Sequence, residues 1–353
     1  MITVQFKLLP LSAQEIMLQQ ITKEYIYSVN ALVDYCCRQV KIPKLSSASF
    51  RANLPSAVKN EVCNTVKSIL RKYQRGKCDS LPVLQKPIAT WNNQNYKIAD
   101  TAIEVPIMID GKVKRVTFKA IITEYQRKRL SSKLGSLRIT QKNGKWIAQV
   151  AVQEKIHSTI ETGVMGIDLG LKVPAVAVTD MGKTRFCGNG RMNKYVKRKH
   201  RAKRKVLGRA KKQKAINKLD NKEQRWMHDQ DHKISRSIVS FAISQSVGTI
   251  RMEQLQNIRQ TTRTSRKNEK NLHTWSFYRL AQFIEYKAKI AGIEVEYVNP
   301  AYTSQKCPIC NKLNRADDRN YTCVHCGFNT HRDRLGAINI LSAPVISGSR
   351  KSA

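Results

Sequence analysis

The chain has 353 residues, 41% of them hydrophobic, enough for two or three domains with a sizeable core, which excludes wholesale disorder. Lys and Arg outnumber Asp and Glu by 64 to 25, a formal net charge of +39, and a compact body carries that much charge comfortably only against a polyanion. Nucleic acid fits, because its phosphates release counterions as basic side chains replace them. By contrast, no apolar run approaches the ~20 residues of a spanning helix, and Met1–Gln14 has no signal-peptide pattern, so the expectation is a cytoplasmic or nucleoid protein without a membrane partner.

"ITVQFKLLP" (2–10) alternates apolar and polar residues and reads as an opening strand. Residues 12–40 read as a helix with Ser12 as N-cap and Glu15 completing a capping box. A second helix, 56–76, ends on Gly76 as its C-cap. Strand-like segments follow at 96–100, 101–107, 112–122, 136–144 and 145–154, with Asn143–Gly144 as a hairpin signal. The first 160 residues thus read as a β-barrel or β-sandwich with a helical insertion after its first strand.

Beyond residue 160 the pattern changes. Segments 163–172, 174–180 and 184–188 read as short strands joined by tight turns. Residues 191–225 form a long helical stretch with sixteen Lys/Arg against two acids, and 231–247 an amphipathic helix. A fourth strand (248–253), a patternless polar loop (259–271), a helix (275–292) and a fifth strand (293–299) complete a mixed α/β layer, so the fold class is multi-domain α+β.

Acids are scarce, so their places matter. Asp168 ends the apolar run "VMGI", Glu253 ends "GTIRM", and Asp333 opens a short helix where its charge faces the positive end of the dipole. Three carboxylates brought to one sheet edge repel unless a divalent cation holds them. Magnesium suits oxygen ligands, and two such ions activate a water and stabilise the leaving oxygen of a phosphodiester. Cys307, Cys310, Cys323 and Cys326 form two C-x-x-C knuckles twelve residues apart, the spacing of a closed structural zinc site. His325 and His331 lie nearby, but the four cysteines are complete without them. Cys36, Cys37, Cys63, Cys78 and Cys187 read as scattered reduced thiols. On the basic stretch, Lys197, Arg198, Lys199, Arg201, Lys203, Arg204 and Lys205 are candidate nucleic-acid contacts, with Tyr195 and Trp226 at its ends as stacking or core aromatics, core being preferred for Trp226.

"GIDLG", "RMEQL", "NPAYTSQKCPIC", the second knuckle and "HRDRLGAINI", in this order and spacing over roughly 160–342, resemble the TnpB proteins of insertion-sequence transposons. The same core occurs in compact type V CRISPR effectors. The resemblance implies a β-barrel wedge domain (1–10 and 77–160) with an inserted helical recognition domain (11–76). It further implies a RuvC-like nuclease domain of RNase H fold (161–306 and 327–342), a zinc ribbon (307–326) and a flexible tail (343–353). It assigns Asp168, Glu253 and Asp333 as the catalytic carboxylates holding two magnesium or manganese ions, and the four cysteines as ligands of one zinc.

Its partners would be a guide RNA and double-stranded target DNA, the protein acting as a monomer. Arg332 and Arg334, flanking Asp333, would face phosphate. The loop 259–271 would be a lid, and the zinc ribbon would load single-stranded substrate, with Tyr321 and Phe328 read as packing on the knuckles in preference to stacking on a base. Two departures stand out: His331-Arg332-Asp333 where many relatives read Asp-Arg-Asp, and Leu335-Gly336-Ala337 where they read Asn-Ala-Ala. A transposase, a guided repressor that does not cut, and a zinc-ribbon RNA-binding protein are the alternatives.

Overall fold

A computed structural model describes residues 1–39, 43–76, 78–154, 161–219, 221–255, 277–314 and 319–346. The expected lid at 259–271 and most of the expected tail lie outside them. The chain divides into two compact units, Met1–Lys155 and Ile156–Ala353. Among the described residues no helix is long and apolar enough to cross a membrane.

The first unit runs β1 (Ile2–Leu9), α1 (Ser12–Cys37), α2 (Ser56–Gln74), β2 (Ile88–Trp91), β3 (Lys97–Ala99), β4 (Ala102–Ile109), β5 (Lys112–Ile121), α3 (Glu124–Leu130), β6 (Lys133–Lys142) and β7 (Lys145–Gln153). Its seven strands form one antiparallel sheet in the order β2-β6-β7-β1-β5-β4-β3. β2 and β3 lie at opposite edges, yet only residues 92–96 join them, so the sheet has to curl. Trp91 Nε1 in β2 donates to Pro106 O in β4 at 3.1 Å, and the Tyr96 hydroxyl to Gly135 O in β6 at 2.7 Å, drawing the two edges together. The choice between barrel and sandwich is therefore resolved as a half-barrel.

Inward residues of β1 (Val4, Phe6, Leu8) share one core with Leu18, Tyr25 and Val29 of α1 and Val58, Val62 and Val66 of α2. The Tyr25 hydroxyl meets Thr65 Oγ1 at 2.7 Å, fastening the two helices. The helix start is displaced by one residue from its expected place: Leu11 is the N-cap, and its N–H donates to Gln14 Oε1 at 3.1 Å. Glu15 instead accepts from Trp146 Nε1 at 3.3 Å, so a tertiary donor outcompetes the local cap. Gly76 takes the expected left-handed conformation, φ 62°. β2 and α3 were not anticipated; α3 has no buried face, and its one local mark is the Thr123–Gln126 capping box.

The second unit runs β8 (Gly163–Asp168), β9 (Ala175–Thr179), β10 (Thr184–Cys187), α4 (Gly190–Arg209), α5 (Gln213–Leu219), α6 (Lys222–Ser244), β11 (Val247–Glu253), α7 (Phe277–Ile290), β12 (Glu294–Val298), β13 (Asn320–Thr322), β14 (Asn329–His331) and α8 (Arg332–Ser342). The sheet order is β10-β9-β8-β11-β12, with β8, β9 and β10 an antiparallel meander and β11 and β12 parallel to β8. Alternation along β9 reveals the layers. Ala175 and Ala177 pack with residues of α6 and α7, while Val176 and Val178 pack with Ala337 of α8. The single basic helix expected over 191–225 is broken at 210–212, where Lys211 adopts φ 51°. Only Gly190 of α4 is buried, so no core contact sustains a longer rod.

Candidate active site and cysteine cluster

β8 and β11 are parallel neighbours, Ile167 opposite Met252, so Asp168 and Glu253 end their strands at the same sheet edge. The third carboxylate arrives from the other face. α8 lies against β8 and β9, and this approach needs glycine: a Cβ on Gly166 would sit 2.2 Å from Ala337 O. Gly336, one helical turn from Asp333, lets the same helix pass over Asp168, whose Cγ would be 3.1 Å from an added Cβ. The Leu-Gly-Ala departure thus has a packing role. Leu335 is fully buried with Cys307, Cys323 and Tyr321, as a plug between α8 and the cysteine hairpin.

The three acids have different surroundings. Asp333 is 9% exposed and accepts two bonds of 2.6 Å from Arg319 Nη1, one on each oxygen. Its own N–H donates to His331 Nδ1 at 3.2 Å, which makes His331 the helix cap. Glu253 accepts from the Thr303 hydroxyl. No described residue hydrogen-bonds to the Asp168 carboxylate. Burial, then the charges of Glu253 and Asp333, push its carboxyl well above the ordinary range, and Arg319 and Arg332 only partly offset them. Burial raises Glu253 as well, against the Thr303 hydroxyl. Among the described residues the three carboxylates are not gathered as closely as the four cysteines.

Cys307, Cys310, Cys323 and Cys326 have Sγ atoms within 4.8 Å of one another; among the described residues they are the one group of metal-binding side chains gathered so closely. The Cys307–Cys326 and Cys310–Cys323 separations are 3.5 and 3.6 Å. Bonds of about 2.3 Å to a central tetrahedral ion would set sulfurs roughly 3.8 Å apart, so the four can hold one metal. Burial opposes the thiolates of Cys307 and Cys323. The N–H groups of Cys310 and Ile309 on the first, and of His325 and Cys326 on the second, outweigh it and hold both thiols below their ordinary range. Tyr321 is fully buried in this cluster and Phe328 packs beside it, as packing aromatics do.

The expected basic contacts separate into two groups. Arg198, Lys199, Arg201, Lys203 and Lys205 are exposed on α4, next to an exposed Tyr195. Lys197 is half-buried, its amine lowered by burial against the pull of Glu223 and Asp231, and Arg204 pairs with Glu223 of α6. Trp226 is half-buried. Arg332 is half-buried near Asp168, whereas Arg334 spends Nε on Thr184 Oγ1 (3.0 Å) and Nη1 on Thr330 Oγ1 (3.1 Å), clamping α8 to β10 and β14. The cation on Asp333 is therefore Arg319, which sequence reasoning missed. It reaches Asp333 across a hairpin, a pairing that no spacing rule announces. Thr303 was missed too, although it stands inside "NPAYTSQKCPIC".

The chain is similar to known proteins in sequence and in fold. A family model for the Cas12f1-like TNB domain matches residues 277–340, from α7 through the cysteine cluster into α8. A TnpB-like protein of Methanocaldococcus jannaschii is 37% identical over 161 residues, 45% of this chain and 58% of that one. The chain belongs to the TnpB family. The CRISPR-associated endodeoxyribonuclease Cas12f1 of Sulfoacidibacillus thermotolerans is 29% identical over 280 residues, 74% of this TnpB-family chain and 63% of the relative. The chain thus spans about six-tenths of the length of these relatives. A Cas12f1–sgRNA–target DNA complex solved by cryo-EM superposes with a TM-score of 0.70 at 17% identity, covering 94% of this chain and 84% of that one, which establishes a shared α+β fold.

Proposed function

We propose that this chain is an RNA-guided DNA endonuclease that hydrolyses phosphodiester bonds at Asp168, Glu253 and Asp333. The observation that carries the reading is the sheet edge itself: two carboxylates from parallel strands and a third from the first turn of a helix, with no donor to Asp168 among the described residues. The order of the five strands and their directions support our assignment of an RNase H-type, RuvC-like domain to 161–306 and 327–342. Relatives named endodeoxyribonuclease, and a solved relative holding guide RNA and target DNA, support the same assignment.

Two magnesium or manganese ions bound by the three carboxylates would supply Lewis acidity at the leaving oxygen and an activated water. The protein's own residues prepare that chemistry. Thr303 fixes one Glu253 oxygen, so the carboxylate meets a cation in one orientation. Arg319 holds both oxygens of Asp333, fixing that carboxylate, and its charge would also favour an anionic substrate at this edge. Leu335 couples α8 to the cysteine cluster, which we assign as one structural zinc site in a ribbon spanning 307–326. The curled sheet (1–10, 77–160) and helix pair (11–76) would serve as wedge and recognition domains that grip a guide–target duplex by backbone and shape, while the protein reads a short flanking DNA motif.

The test starts from RNA that co-purifies when the protein is expressed with its native flanking DNA. A discrete RNA with a fixed scaffold and a variable end, followed by magnesium-dependent cutting of DNA matching that end, is the expected result. Asp168→Ala should abolish cutting and keep RNA binding. Equal cutting by that variant would overturn the nuclease reading, and guided binding without any cutting by wild type would make the protein a repressor.

A further inference from the structure

Tyr302 stands at the same edge in a conformation that its residue type resists. Its φ is 60°, in the left-handed region where a bulky side chain crowds its own backbone. Two other left-handed positions in the cysteine module follow the usual rule, one filled by Asn311 (φ 62°) and one by Gly327 (φ 73°). A plain turn at 302 would be served as well by Asn or Gly.

The turn is held from several sides. Gln305 N and Lys306 N donate to Tyr302 O at 2.9 and 3.0 Å, and Ala301 N to Asn299 Oδ1 at 3.0 Å. From α8, Asn339 Nδ2 reaches both Thr303 O and Lys306 O at 2.7 Å. Strain survives where the surroundings over-determine it, and such positions cluster at functional sites.

Among the described residues the ring has no packing or hydrogen-bonding role. Tyr302 is 60% exposed, and no described residue gives its ring or hydroxyl a partner. The next residue, Thr303, is 8% exposed with its hydroxyl on Glu253. Consecutive Cα atoms are about 3.8 Å apart, so the ring is rooted one residue from the contact that orients a candidate metal ligand.

We infer that Tyr302 is a positioning residue that stacks on an unpaired nucleotide base at the carboxylate edge, setting a single strand of DNA in register for cutting. The inference rests on the nuclease reading. An uncharged ring offers a phosphate little but presents a flat face to any base, and only a single strand has a base face free to receive it. Stacking of this kind tolerates any sequence, as suits an enzyme whose target is chosen by a guide.

The probe is an oligothymidine carrying one 2-aminopurine, added to the full chain in the Glu253→Gln background at about 0.3 M salt, where sequence-independent phosphate contacts are weakened. Quenching of the 2-aminopurine and about tenfold tighter binding are expected with Tyr302 and with Tyr302→Phe, relative to Tyr302→Gly. Tyr302→Gly should melt within about 3 °C of its parent, because relief of strain offsets the added freedom of the unfolded chain. Equal quenching and affinity with Gly, or a larger fall in melting temperature, would overturn the inference. The assay requires no cleavage, so it stands apart from the Asp168→Ala test: no Tyr302-dependent stacking while wild type cuts sinks this inference alone, and Tyr302-dependent stacking while wild type does not cut sinks the nuclease reading alone.

Discussion

Asp231 and Asp168 belong to the same unit, one in the seam between α6 and α7, the other at the end of β8, and their surroundings differ in kind. Asp231 is 2% exposed, and its Oδ2 accepts from Arg279 Nε and Nη2 at 2.7 and 2.6 Å. The fold supplies that acid with its counter-charge. Asp168 receives no donor from the described residues and faces two further carboxylates, so burial and repulsion raise its carboxyl. The contrast separates an acid that the fold pairs from one to which no described residue donates.

The largest effect should come from exchanging the charge at each. Asp168→Asn is expected to reduce DNA cleavage more than about a thousandfold, measured in single-turnover assays. In magnesium-free buffer it should raise the melting temperature. Asp231→Asn should do the opposite, costing about 2–3 kcal/mol in denaturant titration, a figure discounted because the Arg279 side chain is 33% exposed. A stabilising Asp231→Asn, or a destabilising Asp168→Asn, would break the comparison.

The pH dependence follows from the same shifts. Asp168 and Glu253 have folded-state carboxyls raised above their unfolded values, so the folded chain holds those protons more tightly. Their contribution is fully present below the ordinary carboxylate range and is lost as pH rises through the raised values. Without magnesium, the melting temperature of wild type should therefore fall from pH 5 towards pH 8 more steeply than that of Asp168→Asn. Added magnesium should flatten the wild-type slope.

Gly166→Ala should destabilise by about 1–3 kcal/mol, as the new methyl drives α8 off β8, and take activity with it; unchanged stability would show that α8 yields more easily than its packing suggests. Cys307→Ser should release about one equivalent of zinc and lower cleavage indirectly, by loosening Leu335 and with it the placement of α8. The smallest effect is expected from a double alanine change at Arg198 and Lys199: unaltered chemistry, with the salt dependence of nucleic-acid binding reduced by about two phosphate contacts.

Much of this was legible in the linear pattern. β8 to β12 declare themselves by apolar runs, and Asp168 and Glu253 by ending two of them, because a strand's period and its terminal charge are local properties. The four cysteines declare themselves by spacing, which a metal site dictates directly. What failed were decisions made between distant residues. Leu11 rather than Ser12 caps α1, while Glu15 is engaged by Trp146, far along the chain. The basic stretch breaks at Lys211, with Gly190 the one buried residue of α4, and helical periodicity cannot report how little of a helix face is covered.

By itself, then, the sequence determined a strongly basic, multi-domain α+β chain, the strand ends that carry Asp168 and Glu253, and four cysteines at metal-site spacing. The tertiary structure alone decided that the first sheet curls into a half-barrel, since residues 92–96 must join its two edges. It alone decided that Arg319 and not Arg334 answers Asp333, that Gly166 and Gly336 let α8 reach the carboxylates, and that no described residue donates to Asp168. Hydrophobic period and ligand spacing act along the chain, whereas counter-charges and close approaches exist only once segments far apart in sequence have been brought together.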